Sequence, residues 1–410
     1  MFASLKVRDY RYLWIGMLAS AFALSMQIIA QGWLVYEMTS SAMDLTWVTL
    51  AFTVPQVTFS LAGGVLADRM PKKPIIGLAP VLNWAATFAM AIIIMFGDVT
   101  FWDFIWVGAI NGTALALSIP ARTALIPEIV GESLMFNAMA FNTASWNLSR
   151  ILGPALAGFM IAIFADGDTS SRFGVGLVYF VLSVLYLVSA ITVIFISHDG
   201  MPAPREERGA FHELNEGIAY VIGSPVVGGL ILLSILPFLF GVTVNTLLPA
   251  FSTDILGGGP DDLGLLMTGM GGGAILGSLA LAKMGGIRNK GYWLFGTSAA
   301  WGLLLAAFGL TTNFTTATIA IALIGVISSV NMSMTRTLIQ LQVEQQMRGR
   351  IMSIDMMSHG LMPLGLLPIG YVAETVSIQA GLVTSGIALF VSTLILGALM
   401  PKVRLINVGY

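Results

Sequence analysis

Twelve long apolar stretches dominate this chain and leave it very few folds. They run roughly over Leu13–Tyr36, Leu45–Ala67, Pro74–Phe96, Phe101–Ile119, Ala138–Phe164, Gly174–Ile196, Val226–Leu248, Leu263–Ala282, Tyr292–Leu310, Thr315–Ile339, Ile351–Val372 and Ile378–Met400. A helix needs about 20 such residues to cross a bilayer. In hydrocarbon each backbone N–H and C=O must be satisfied within the protein, so stretches of this length read as helices. Only 10% of the 410 residues are charged, against about 25% in soluble domains. The expected fold is an all-α membrane protein with twelve transmembrane helices.

Charge sorts across these spans. With a cytoplasmic N-terminus, the inner segments hold Arg69, Lys72 and Lys73, then Arg122, Arg205 and Arg208, Lys283, Arg288 and Lys290, Arg348 and Arg350, and finally Lys402 and Arg404. The outer loops hold Asp98, Asp166, Asp168, Asp254, Asp261 and Asp262, with Arg172 as their one basic residue. Short loops rich in Lys and Arg stay in the cytoplasm. Both termini are therefore expected there, in a bacterial inner membrane, and Met1–Arg11 shows no cleavable leader pattern.

The longest polar interruption, His198–Glu216, contains Pro202, Pro204 and the cluster Arg205-Glu206-Glu207-Arg208. It divides the chain into a first bundle (1–197), a linker with an amphipathic helix near Phe211–Val221 (198–224) and a second bundle (225–410). Gly153 and Gly365 stand 212 positions apart, as do Gly158 and Gly370; Gly64 and Gly277 are 213 apart. This steady offset points to two related six-helix halves in parallel orientation.

Several functions lose their chemistry. There is no cysteine, and His198, His212 and His359 lack ligand spacing, so no metal site or cofactor is expected. No nucleophile–base constellation marks an enzyme, and no basic stripe with aromatics marks a nucleic-acid binder. Gly269, Gly271, Gly272, Gly273 and Gly277 precede no Gly-Lys-Ser/Thr; their four-residue recurrence reads as a close-packing helix face. Energy must then come from a gradient.

The turn Gly64-Val65-Leu66-Ala67-Asp68-Arg69-Met70-Pro71-Lys72-Lys73 between spans two and three resembles the signature loop of the major facilitator superfamily, departing from it at Pro71. Tyr10-Arg11-Tyr12-Leu13-Trp14, Ile119-Pro120-Ala121-Arg122 and Arg348-Gly349-Arg350 resemble one bacterial branch of it, which includes the enterobactin exporter and macrolide efflux proteins. The resemblance covers nearly the whole chain. It implies that Asp68 and Arg69 form a latch at the cytoplasmic start of span eleven, with Gly64, Lys72, Lys73 and Arg122 around it. An alternative for the two lysines is topology and contact with anionic lipid. Gly153-Pro154 and Gly158 resemble the bend motif of superfamily exporters, where small residues permit close approach and proline bends the helix.

Polar residues inside the spans are the remaining candidates, because each is costly there. Arg150 lies about 20 Å into span five at 1.5 Å per residue, placed to bind an anionic group or to pair with an acid. Gln27 and Gln31, Asn111, Asn245, Asn331 and Arg336 fall on spans one, four, seven and ten, which line the cavity in the superfamily; gluing helices together is the other reading. Asp355, with His359 four residues on, is the candidate for proton exchange within a helix, or else a static partner for Arg69 or Arg122. Glu37 is an outer candidate. The deep arginine that proton-coupled drug exporters often carry in span four is replaced by Asn111. The expected function is proton-coupled efflux of a small amphipathic or hydrophobic compound by a monomer. Uptake of a specific, anionic solute is the alternative.

Overall fold

The computed structural model of the chain describes residues 3–164, 172–201, 210–283, 289–344 and 347–406. Arg205, Arg208, Asp166, Asp168 and Arg288, used above to sort charge, lie outside them. The described residues are almost wholly helical and contain no strand. In chain order the helices are α1 (Arg8–Thr39), α2 (Ala42–Thr58), α3 (Ser60–Arg69), α4 (Lys72–Phe96), α5 (Phe101–Val130), α6 (Glu132–Phe164), α7 (Arg172–Ile194), α8 (Ala210–Gly223), α9 (Pro225–Leu236) and α10 (Thr243–Asp254). They continue as α11 (Pro260–Lys283), α12 (Lys290–Gly309), α13 (Phe314–Gln342), α14 (Arg348–Ser358), α15 (Met362–Thr375), α16 (Ile378–Leu399) and the short α17 (Pro401–Arg404).

Among the described residues, eleven helices or continuous helix pairs are long and apolar enough to cross a membrane, and α2 with α3, bent by 44°, makes a twelfth when the pair is counted as one span. The bend has local causes. Pro55 in α2 has no N–H to donate, and the hydroxyls of Thr58 and Ser60 bond back to the carbonyls of Val54 (2.8 Å) and Val57 (2.7 Å). Large apolar side chains remain exposed along the spans, among them Phe96, Trp102, Trp106 and Leu364. That exposure suits a protein whose solvent there is lipid rather than water.

Two compact units divide the chain. One comprises Met1–Ser40, Trp47–Arg205 and Gly258–Thr268; the other comprises Ser41–Thr46, Glu206–Gly257 and Gly269–Tyr410. In the first, α1, α4, α5, α6 and α7 pack around a core in which Tyr10, Leu125, Ile126 and Ala138 are completely buried. The Tyr10 hydroxyl donates to the Ala138 carbonyl at 2.7 Å, and Asp9 accepts from the Ser197 and His198 amides at 2.9 and 3.0 Å. In the second, α8 is held beneath α14 by Arg350 Nη1 on Glu216 Oε2 at 2.8 Å. Gly217 lies against Ile354 there, leaving no room for a larger side chain without a shift.

The offset of 212 has a physical counterpart. A Cβ on Gly153 would meet Ser25 of α1, and one on Gly365 would meet the Leu239 carbonyl in the seventh span. A Cβ on Gly158 would meet Pro260 in α11, and one on Gly370 would meet Thr46 in α2. Equivalent glycines thus sit against equivalent spans. On α11, Gly273 and Gly277 face the Ala322 and Val326 carbonyls of α13.

Candidate functional site

Besides the bent pair α2–α3, two spans are interrupted, and they meet. In the seventh, Pro237 cannot donate to the ladder that α9 begins, and a π-turn over Pro237–Gly241 absorbs the offset. The Val242 amide there reaches back to the Pro237 carbonyl at 2.9 Å. In the eleventh, Pro363 follows a single 3-10 turn, His359–Leu361, that separates α14 from α15. Such single-turn irregularities recur at functional sites. In a membrane, interrupted backbone is tolerated where it is buried in protein or lines a cavity.

At this junction the rings of Phe238 and His359 stack with centroids 3.5 Å apart and planes 21° from parallel. Asp355, one turn before the interruption, is only 1% exposed. Neither of its carboxylate oxygens has a hydrogen-bond partner. The Ser234 hydroxyl of α9 is placed to donate to it with a small shift, and the Arg336 guanidinium of α13 acts on it through its charge. Ser234, Phe238, Asn331, Thr335, Arg336 and His359 enclose a small cavity of about 10 Å³, which is about the space of one water. Asn331 donates to the Leu294 carbonyl (3.2 Å) and the Thr297 hydroxyl (3.0 Å), so it ties α13 to α12. Its carbonyl oxygen, like His359 Nε2, is buried without a partner. An imidazole and a guanidinium line this water-sized space, and the Arg336 guanidinium also acts on the Asp355 carboxyl, so a carboxyl able to hold and release a proton stands in reach of the same charge.

A second polar set lies in the first unit. Asn111 Nδ2 donates to Gln27 Oε1 at 2.9 Å, and Gln27 Nε2 donates to Gln31 Oε1 at 3.3 Å. This chain of amides links α1 to α5. Asn111 Oδ1 ends it, buried with no partner. Asn245 in α10 likewise buries its Oδ1 without a partner. Arg122 lies beside Tyr186, with its Nε buried and lacking an acceptor.

Other candidates stand apart from both sets. Arg150 is exposed on α6 and makes no ion pair among the described residues. Glu37 is exposed near the end of α1. Asp68 and Arg69 are exposed at the end of α3. Gly64 faces open space, and Gly63 is the residue held against the Ala116 and Leu117 backbone of α5.

Lys72 occupies an unexpected place. It is 5% exposed, with Nζ 2.9 Å from Glu128 Oε1 and 3.3 Å from the Gly200 carbonyl. The Lys72 and Lys73 amides donate to the Gly200 and Asp199 carbonyls at 3.0 and 3.1 Å. The start of α4 is thus fastened to the end of α5 and to the chain after α7. Ser234 and Glu128 escaped the sequence reading. Proline at 237 and 363 was the available signal for the first, and the acid closing α5 for the second. No group of three or more His, Cys, Asp or Glu among the described residues could hold a metal ion.

The fold is shared with transporters of known structure. The POT family transporter PepTSo superposes with a TM-score of 0.75 at 12% identity, over 98% of this chain and 99% of that one. The nucleoside transporter NupG gives 0.71 at 14% identity, over 96% and 98%. In sequence, macrolide efflux protein A of Streptococcus pyogenes is 22% identical over 344 residues, 83% of either chain. The enterobactin exporter EntS of Escherichia coli is 25% identical over 291 residues, 71% of this chain and 67% of that one. The model of the transmembrane secretion effector family matches residues 1–407. With twelve spans and that match along nearly its whole length, the chain belongs to the transmembrane secretion effector family of major facilitator transporters.

Proposed function

We propose that this protein exports a small amphipathic or hydrophobic compound across the bacterial inner membrane by alternating access, with protons entering as cargo leaves. One observation carries the coupling: Asp355 is buried with both carboxylate oxygens unpartnered, where two interrupted spans meet. A carboxyl so placed is suited to exchange a proton as its access to water changes. The Arg336 guanidinium acts on it through its charge, so that its interactions change with that exchange. The outward direction rests on the relatives, whose names are those of an efflux protein and an exporter. The amide chain Gln31–Gln27–Asn111 offers hydrogen bonds to cargo without a charge, which suits an amphipathic compound. Basic residues in the inner segments support cytoplasmic termini.

Asp355→Asn tests the coupling in proteoliposomes loaded with a pH-sensitive dye, with a macrolide and enterobactin as trial cargoes. The substitution should abolish transport driven by a pH gradient and spare counterflow, which needs no net proton movement. Proton movement retained in Asp355→Asn would remove the carboxyl from the coupling step.

A further inference from the structure

The first turn of α2 is fastened from far along the chain. A helix leaves its first N–H groups without intrahelical acceptors. Ser41 takes one of them locally, its hydroxyl accepting from the Asp44 amide at 3.1 Å. The Met43 amide instead donates to Glu374 Oε2 at 3.2 Å, across a separation of 331 positions. Glu374 is the penultimate residue of α15. One turn further in, the same two helices touch: Thr46 is completely buried, and a Cβ on Gly370 would run into its side chain.

These contacts decide how α2 is shared. Ser41–Thr46 groups with the second unit, and α2 from Trp47 onward groups with the first. α11 does the reverse, for its start as far as Thr268 groups with the first unit. There Gly264 lies against the Pro154 carbonyl, and the Thr268 hydroxyl donates to the Ile151 carbonyl at 3.1 Å. The two arrangements correspond in their small residues but differ in charge. The offset of 212 that relates Gly158 to Gly370 places Ala162 where Glu374 stands, so the first half has no carboxylate at the matching position.

A carboxylate at a helix N-terminus gains from the free N–H groups and from the helix dipole. Glu374 is exposed, so water competes for it and the bond is readily reversible. A weak charged contact at the rim of a close-packed one suits a fastening that must open and shut repeatedly.

We infer that Glu374 is a catch on α2: it holds the first turn of that helix against α15 and lets it go when the outer side opens. This rests on the alternating-access reading above, in whose orientation the α1–α2 and α15–α16 turns are both outer. Thr46→Cys reports the release, because the chain has no cysteine of its own and Thr46 is covered while the catch is shut. The full-length protein is held in nanodiscs and labelled with a charged maleimide, whose rate follows the fraction of time the turn is free.

Glu374→Gln should quicken labelling about two- to fivefold, and Glu374→Ala at least as much, as the loss of one exposed, charge-assisted bond would give. Asp98→Asn, which removes another exposed acid from an outer loop, should leave the rate unchanged. Ala42→Cys, 3% exposed in the same turn, is the second reporter if Thr46→Cys fails to fold. Rates in both Glu374 variants within about 1.5-fold of the parent, an equal rise in Asp98→Asn, or immediate labelling of the parent reporters would each overturn the catch. Labelling reads access to α2 and neither cargo nor protons, so a failed efflux or Asp355 experiment would leave its result intact.

Discussion

Lys72→Met should destabilise the protein far more than Lys73→Met, although the two lysines are adjacent in a turn that reads as uniformly solvated. Lys72 Nζ is held by Glu128 at 2.9 Å and by the Gly200 carbonyl at 3.3 Å, and its side chain is 6% exposed. Removing one member of a fully buried ion pair costs about 3–5 kcal/mol, because the other charge is left stranded. Glu128 keeps a third of its side-chain surface, and His198 Nε2 lies 3.3 Å from its other oxygen, so water and the imidazole recover part of the loss. About 2–3 kcal/mol remains. For a cooperative unit of this size, 1 kcal/mol moves Tm by about 2–4 °C, which places Lys72→Met about 4–12 °C below the parent. Lys73 stands 3.7 Å from a mostly exposed Asp199, and an exposed pair contributes under about 1 kcal/mol, so its loss should cost less than about 4 °C. With nine tryptophans and no cysteine, intrinsic fluorescence in detergent is the suitable melting probe, and thiol dyes would stay silent. Adding Glu128→Gln to Lys72→Met should recover part of the loss, since the stranded carboxylate disappears. Equal shifts for the two lysines, or a Lys72→Met melt within about 1 °C of the parent, would refute a buried anchor.

Gly63→Ala should cost about 1–3 kcal/mol by driving a methyl into the Ala116 carbonyl, while Gly64→Ala, with open space at its Cβ, should leave the melt unchanged; a larger loss at 64 than at 63 would mean that α3 faces α5 differently. Gly365→Ala should be destabilising by a similar amount because the Leu239 backbone must move, and Gly296→Ala, with nothing within 4 Å, serves as its control; equal melts would deny the close approach. Asp68→Asn should slow transport in proteoliposomes without lowering insertion or the melting temperature, and an unchanged rate would take Asp68 out of the transport cycle.

The spans were legible because each signal is local. Some twenty apolar residues with hardly a charge have one solution in lipid. What escaped depended on partners distant in sequence. A lysine in a short charged turn reads as wetted, yet Lys72 finds Glu128 fifty-six positions on and is buried by the chain after α7. Gly63 and Gly64 are indistinguishable as letters; the 44° bend before them sets which one turns towards α5. Asp355 and His359 stood out as costly residues. Their setting did not, because a proline announces a missing donor without saying whether a π-turn, a 3-10 turn or a kink will absorb it. Depth along a span is visible in sequence, whereas rotation about its axis is set by neighbouring helices.

The glycine offset and the interrupted spans bear on one another. Gly153 and Gly365 occupy corresponding places, each against the opening span of its own half, so the repeat is a repeat of contacts as well as of letters. At the point of correspondence the halves differ. Gly153 meets the continuous helix α1 at Ser25, while Gly365 meets the π-turn at Leu239. A π-turn inserts backbone without breaking the span, and it re-aims the residues on either side of it. In the second half this brings Phe238 onto His359, next to a carboxylate for which the first half has no counterpart at this junction. The asymmetry is therefore local, built from Pro237, Pro363 and Asp355 on an otherwise matched scaffold. The proton site proposed for the second half would need no separate domain: one interrupted helix packed on another and a buried carboxyl between them would suffice.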